Sequence, residues 1–315
     1  MSFFGVLPEV IRITAPIFIV IAVGFLIRKK NIISGEGVGL LNKLAYNIGL
    51  PALVFISITG HSLSDIFNIR IIKVIYLAYA ILILLTILIN FIVKRSGKTK
   101  GAIIVSSFRC NMAFVGFPII LAAYGDLALA KASLVVAFLV PVNIIVTVLI
   151  FKFYNRGDEA IEARRLFLSF LKDPMIIAAI SGILFSYFEL RIPEIIYRSL
   201  DIISGMTVAI ALLSIGASFN FVHLKNDFKV VSYISFNKLI LMPVVVFVLS
   251  TFVFKVEAID RNVMVILFAT PLAVAAYIMA KELRSNHQLM ASALILTTIV
   301  SALTISAWLL IFKLI

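Results

Sequence analysis

The stretch "FRCNMAFVGFP", residues 108–118, brings an arginine, an asparagine, a glycine and a proline together with apolar sequence on both sides. Proline removes a backbone donor and clashes with the preceding turn, and glycine weakens the helix beside it. Arg109 lies nine residues after Lys100, which at about 1.5 Å per residue places it roughly 13 Å deeper along a helix. The neighbouring sequence decides what a charge and two helix breakers mean at such a depth.

That sequence is membrane-like. The chain has 315 residues, 63% hydrophobic and 14% charged, with a mean hydropathy of +1.16. A soluble domain has too little interior to hide this much apolar surface. Residues 74–93, 132–151, 262–280 and 288–312 contain no Asp, Glu, Lys or Arg. Each is long enough to cross a hydrocarbon core of about 30 Å. The runs are continuously apolar rather than alternating, which excludes a transmembrane β-barrel.

Apolar runs of spanning length fall at 8–28, 38–60, 70–93, 101–125, 130–153, 166–188, 196–219, 229–254, 261–281 and 287–313. The sequence therefore predicts an all-α membrane protein of ten transmembrane helices. The longest loop, the polar segment 154–165, divides it into two five-helix halves, 1–153 and 166–315. Basic residues cluster in alternate loops, at Arg28–Lys30, Lys94–Lys100 and Lys152–Lys172. By the positive-inside rule these loops are cytoplasmic and both termini lie outside. The expected location is the plasma or inner membrane. The net charge of +13 is then a topology signal, with no nucleic-acid partner implied.

The halves show internal similarity at a nearly constant offset. Pro16 and Gly24 correspond to Pro174 and Gly182, "PALVF" (51–55) to "IALLS" (210–214), and "AKASL" (130–134) to "MASAL" (290–294). Pro118 corresponds approximately to Pro271. Five spans per half insert the second half upside down, so the chain is expected to be an inverted repeat, as in secondary transporters. Broken helices at matching positions point to a midplane binding site. The expected pair is span 4 (Gly116, Pro118) and span 9 (Pro271), crossing at their breaks.

A buried Arg109 needs a partner. All fifteen Asp and Glu residues fall in loops or near span ends, with Asp173, Asp201 and Asp227 the nearest cases. A bound anion is therefore the expected counter-charge, since the planar guanidinium fork matches a carboxylate. The competing reading is that Arg109 ties down carbonyls freed by the break or snorkels toward the inner surface. Asn111 offers donors and acceptors to ligand or backbone alike. Lys238 either adds positive potential at depth or snorkels to the surface, and snorkelling is the expectation.

Several function classes drop out. The single cysteine, Cys110, excludes a disulfide framework. His61, His223 and His287 have no metal-ligand spacing, and no phosphate-binding GxxxxGK[ST] loop is present. No nucleophile–base pair stands inside a span, so neither an enzyme nor a cofactor is expected. The expected partners are the lipid bilayer and a small organic anion. A coupling ion, H+ or Na+, and a homodimer stay open, as do a sodium symporter of the bile-acid carrier type and a non-transporting receptor.

The segment "GFLIRKKNIISGEGVGLLNKLAYNIGLPALVF" (24–55) resembles the opening signature of the auxin efflux carrier family. "NMAFVGFP" (111–118) is similar to that family's fourth helix and "ATPLAVAAYIMAKEL" (269–283) to its ninth. The resemblance covers essentially the whole chain and its short central loop suits a microbial member. It implies two inverted five-helix repeats, with spans 1, 2, 6 and 7 as a scaffold and the rest as a mobile, elevator-type transport domain. It also implies a carboxylate substrate beside the crossing of spans 4 and 9. Asn143, after Pro141, matches a position the family uses near the substrate.

Overall fold

The computed structural model describes residues 3–155, 172–219 and 228–315. Most of the 154–165 linker lies outside the described residues, as do His223, Lys225 and Asp227. Among the described residues the regular structure is helical, with one isolated bridge between extended residues. The helices are α1 Phe3–Lys29, α2 Gly35–Thr59, α3 Ile69–Ile92, α4 Gly97–Phe108, α5 Met112–Asn155 and α6 Pro174–Tyr187. Then follow α7 Glu194–Ala217, α8 Phe228–Val253, α9 Ala258–Ala269, α10 Val274–Glu282 and α11 His287–Leu314. Seven helical runs are long and apolar enough to cross a membrane. The protein is a multi-pass helical membrane protein.

Local sequence sets the helix starts. Side-chain oxygens of Ser34, Asn68, Ser96, Asp173 and Asn286 each accept from a backbone N–H in the first turn of α2, α3, α4, α6 and α11. These caps satisfy donors that have no intrahelical partner. Gly125 divides α5 into two arms with φ +77°, a conformation that glycine reaches without a Cβ clash. The sequence places two spans with a loop at 126–129 there; the structure runs one into the other through this single residue.

The helices sort into two packing groups. In the first, α1 and α7 make the most extensive contact, and α2 packs on α6 and α7. Backbones nearly touch at the α1–α7 crossing. A Cβ on Gly24 would stand 2.1 Å from the carbonyl oxygen of Leu213, and one on Gly216 would stand 1.8 Å from that of Ile21. Small residues of this kind let membrane helices approach closely enough for dispersion contacts to hold them. The second group gathers α3, α4, α5 and α8 to α11. The groups meet where α1 touches α11 and where α2 and α6 touch α5.

The second group contains both helix breaks. The chain leaves helical geometry at Arg109–Asn111, between α4 and α5, and again at 270–273, between α9 and α10. The extended pieces pair antiparallel around Cys110 and Leu272. Asn111 N–H donates to the Pro271 carbonyl at 2.8 Å, and Ala273 N–H to the Arg109 carbonyl at 3.2 Å. Each break satisfies groups the other exposes, which is what permits irregular backbone at membrane depth.

Candidate functional site at the helix crossing

A cavity of about 100 Å³ lies against this crossing, between the two packing groups. Tyr46 of α2 and Met175 of α6 line it from one side. Arg109, Cys110, Asn111, the first turns of α5 and α10, and Asn143 with its neighbours on the second arm of α5 line it from the other. The first N–H groups of α5 and α10 have no acceptor within their own helices, so two positive helix ends converge here. Such an arrangement favours a bound anion.

Arg109 is only 6% exposed. Its Nε has no hydrogen-bond partner and, among the described residues, no carboxylate pairs with it. A charge at this depth costs at least about 2.5–3.5 kcal/mol without compensation. Beside it, the Nδ2 of Asn111 is buried and equally without a partner. Asn143 is oriented: its Oδ1 accepts from the Tyr79 hydroxyl at 2.6 Å, which leaves the amide nitrogen as the donor available to the cavity. Tyr46 donates to Oδ2 of Asp173 at 2.7 Å, while Oδ1 of the same carboxylate caps α6. That acid is thereby occupied by three donors.

The six residues singled out from the sequence separate into two sets. Arg109, Asn111 and Asn143 line the cavity together. Pro271 does not line it; its carbonyl holds the crossing through Asn111. Gly116 and Pro118 lie beyond the break and do not line the cavity. A Cβ on Gly116 would meet Leu267 Cδ2 at 2.8 Å, so this glycine permits close packing on α9. Pro118 is the seventh residue of α5, directly after the wide turn Met112–Gly116, and so lies inside the helix, away from the break. Pro118 and Pro271 are therefore not counterparts: the break that opposes Pro271 is centred on Cys110.

Other groups at the site were not singled out from sequence. Tyr46 and Tyr79 carry no signal that separates them from ordinary apolar aromatics in a membrane helix. Lys238 does not snorkel: it is fully buried, and its Nζ lies 3.2 Å from the carbonyl oxygen of Phe268. Asp260 stands at the start of α9, yet it is 1% exposed and pairs with the equally buried Lys131 at 2.7 Å. Asn68 donates to its other oxygen at 2.9 Å. Nothing in the sequence joins this pair, whose residues stand 129 positions apart.

Polar and ionisable groups held without partners at membrane depth mark substrate or ion pathways, proton relays, sensors or ligand counter-ions. The chain belongs to the auxin efflux carrier family: the profile of that family, described as membrane transport protein, matches residues 10–309. An uncharacterized transporter of Methanocaldococcus jannaschii is 25% identical over 298 residues, covering 93% of this chain and 95% of that protein. An uncharacterized transporter of Methanothermobacter thermautotrophicus is 23% identical over 295 residues, with the same shares covered. The resemblance read from residues 24–55, 111–118 and 269–283 is thus a family membership.

Proposed function

We propose that this membrane transport protein is a secondary carrier of small organic anions, mono- or dicarboxylates, working by alternating access. The observation that carries the proposal is Arg109: a buried guanidinium with no acidic partner among the described residues, on a cavity where two helix N-termini meet. Asn111 and Asn143 supply further donors, and the oxygens of Asp173 are already taken by Tyr46 and the α6 N-terminus. A carboxylate entering this cavity would complete the hydrogen bonding of Arg109 and Asn111 together.

The two packing groups support an elevator reading, in which α1, α2, α6 and α7 stay fixed while the group bearing both breaks moves. In the proposed topology ten spans form two inverted repeats with both termini outside. A wider vestibule of about 860 Å³, lined by Arg28, Lys29 and Lys281 among others, then opens on the cytoplasmic face. Val274 borders both the vestibule and the crossing cavity. Basic side chains there raise the local concentration of anions. Export from a negative interior gains about 2.3 kcal/mol per charge per 100 mV.

The test is a thermal-shift and proteoliposome flux screen of the purified protein. Malate, malonate, oxalate, lactate and a short aromatic acid are compared, with and without sodium. Saturable carboxylate uptake that is lost in Arg109→Gln is the expected result. A folded, reconstituted protein that neither binds nor moves any of these acids would overturn the reading.

A further inference from the structure

Lys238 sits in α8 behind the crossing, with no exposed surface. Its Nζ has three neighbours within hydrogen-bond reach: Cys110 Sγ at 2.7 Å, the Phe268 carbonyl at 3.2 Å and Met242 Sδ at 3.4 Å. Among the described residues no carboxylate pairs with it. An ammonium has three N–H donors and no acceptor, so three acceptors match the charged form. A neutral amine would have to take the Cys110 thiol proton onto its lone pair, since neither the carbonyl nor the thioether can donate.

The position of the carbonyl gives this contact its meaning. Phe268 lies in the last turn of α9, where the break at 270–273 leaves carbonyls unpaired and the helix dipole is negative. In transporters built from broken helices, unwound carbonyls and half-helix C-termini are where a coupling cation is held. The other break treats its equivalent carbonyl differently. Tyr79, 159 residues before Lys238, donates its hydroxyl to the carbonyl of Phe108, 160 residues before Phe268, at 3.3 Å. One half-helix thus ends on a neutral donor and the other on a cation.

We propose that the Lys238 ammonium is a tethered cation that fills a cation site at the C-terminal end of α9. The segment that carries the anion then brings its own positive charge and needs no sodium ion. The inference rests on the carrier reading above and adds its coupling: transport is independent of sodium, with Cys110 as the contact between the ammonium and the cavity wall. Cys110 lines the cavity on the far side of the same residue.

The test uses the full-length protein in proteoliposomes, with malate as probe and choline as the inert cation. Wild type is expected to transport equally in sodium and in choline. Lys238→Ala removes the atoms of n-propylammonium from the interior, so malate uptake should fall at least tenfold in choline and return with n-propylammonium or sodium. Lys238→Met keeps the stem without the charge, and it should stay inactive under all three conditions. Sodium-dependent wild-type uptake, wild-type rates in Lys238→Met, or a folded Lys238→Ala that no cation rescues would each overturn the proposal. If wild type moves neither malate nor any other acid of the screen, the carrier reading fails by itself. The cation site is then decided by whether n-propylammonium raises the melting temperature of Lys238→Ala and leaves wild type unchanged; no shift overturns it.

Discussion

The backbone N–H of Asn111 donates to the carbonyl of Pro271 at 2.8 Å, joining residues 160 positions apart at the centre of the molecule. Together with the Ala273–Arg109 bond it makes a two-rung antiparallel clasp between two interrupted helices. The clasp helps a chain to carry helix breaks at membrane depth: each extended segment gives the other one donor and one acceptor. It also fixes where side chains go. Arg109 and Asn111 flank Cys110 in the extended segment, so both are carried to the same cavity.

Arg109→Gln should leave the protein folded and lower carboxylate affinity about ten- to a hundredfold. The scale is that of one charge-assisted bond, about 1.5–3 kcal/mol. Arg109→Lys should recover part of the loss, since a point charge replaces a two-donor fork. Titration calorimetry with the best ligand from the acid screen measures both. Unchanged affinity in well-folded Arg109→Gln would assign the arginine to the helix break alone.

The two prolines should behave differently. Pro271 stands in the clasp, and Pro271→Ala restores a donor and a freer φ at the break, favouring continuation of α9 into α10. Transport is expected to fall severalfold while expression is maintained. Pro118 lies inside α5, outside both the clasp and the cavity lining, so Pro118→Ala should transport within about twofold of wild type. Flux at matched protein density is the measurement, and equal loss in both variants would contradict the assignment.

Asp260 and Lys131 form a buried pair with Asn68 satisfying the second carboxylate oxygen. Asp260→Asn strands a buried ammonium, and breaking one side of such a pair costs about 3–5 kcal/mol. The melting temperature in detergent should drop accordingly. The double replacement Lys131→Met with Asp260→Leu removes both charges and should recover most of that drop. A double variant no more stable than the single one would show that the pair does more than compensate itself.

Gly216 faces the backbone of Ile21 with no room for a Cβ. Gly216→Ala must push α1 away from α7, because the obstructing atoms are main chain rather than a flexible side chain. Lower thermal stability with little change in carboxylate affinity is expected, since neither residue lines the cavity. A loss of affinity without a loss of stability would instead place the α1–α7 contact within the transport movement.

Much of this was legible in the chain itself. The helical membrane class followed from charge-free runs such as 132–151 and 288–312, because lipid demands apolar side chains and internal backbone bonding over some 20 residues. Arg109 declared itself by being a charge deep within such a run. The family was readable in residues 24–55 and 111–118, and the profile match confirmed it. These are local properties, carried by composition and spacing.

What the sequence could not place were relations between distant segments. The position of the first break was one: proline and glycine drew attention to 116–118, yet the chain opens at 109–111, where pairing with 270–273 supplies the missing bonds. The fate of Lys238 was another. In isolation a lysine eleven residues past Asp227 reads as a stem reaching for water; the folded chain surrounds it instead with Cys110, Met242 and the Phe268 carbonyl. Asp260 reads as a loop or span-end charge, and only the packing of α9 on α5 buries it against Lys131. Hydropathy reports the cost of placing a residue in lipid, one position at a time. Compensation of a buried charge or a freed carbonyl is a property of pairs, and only the tertiary structure brings those pairs into contact.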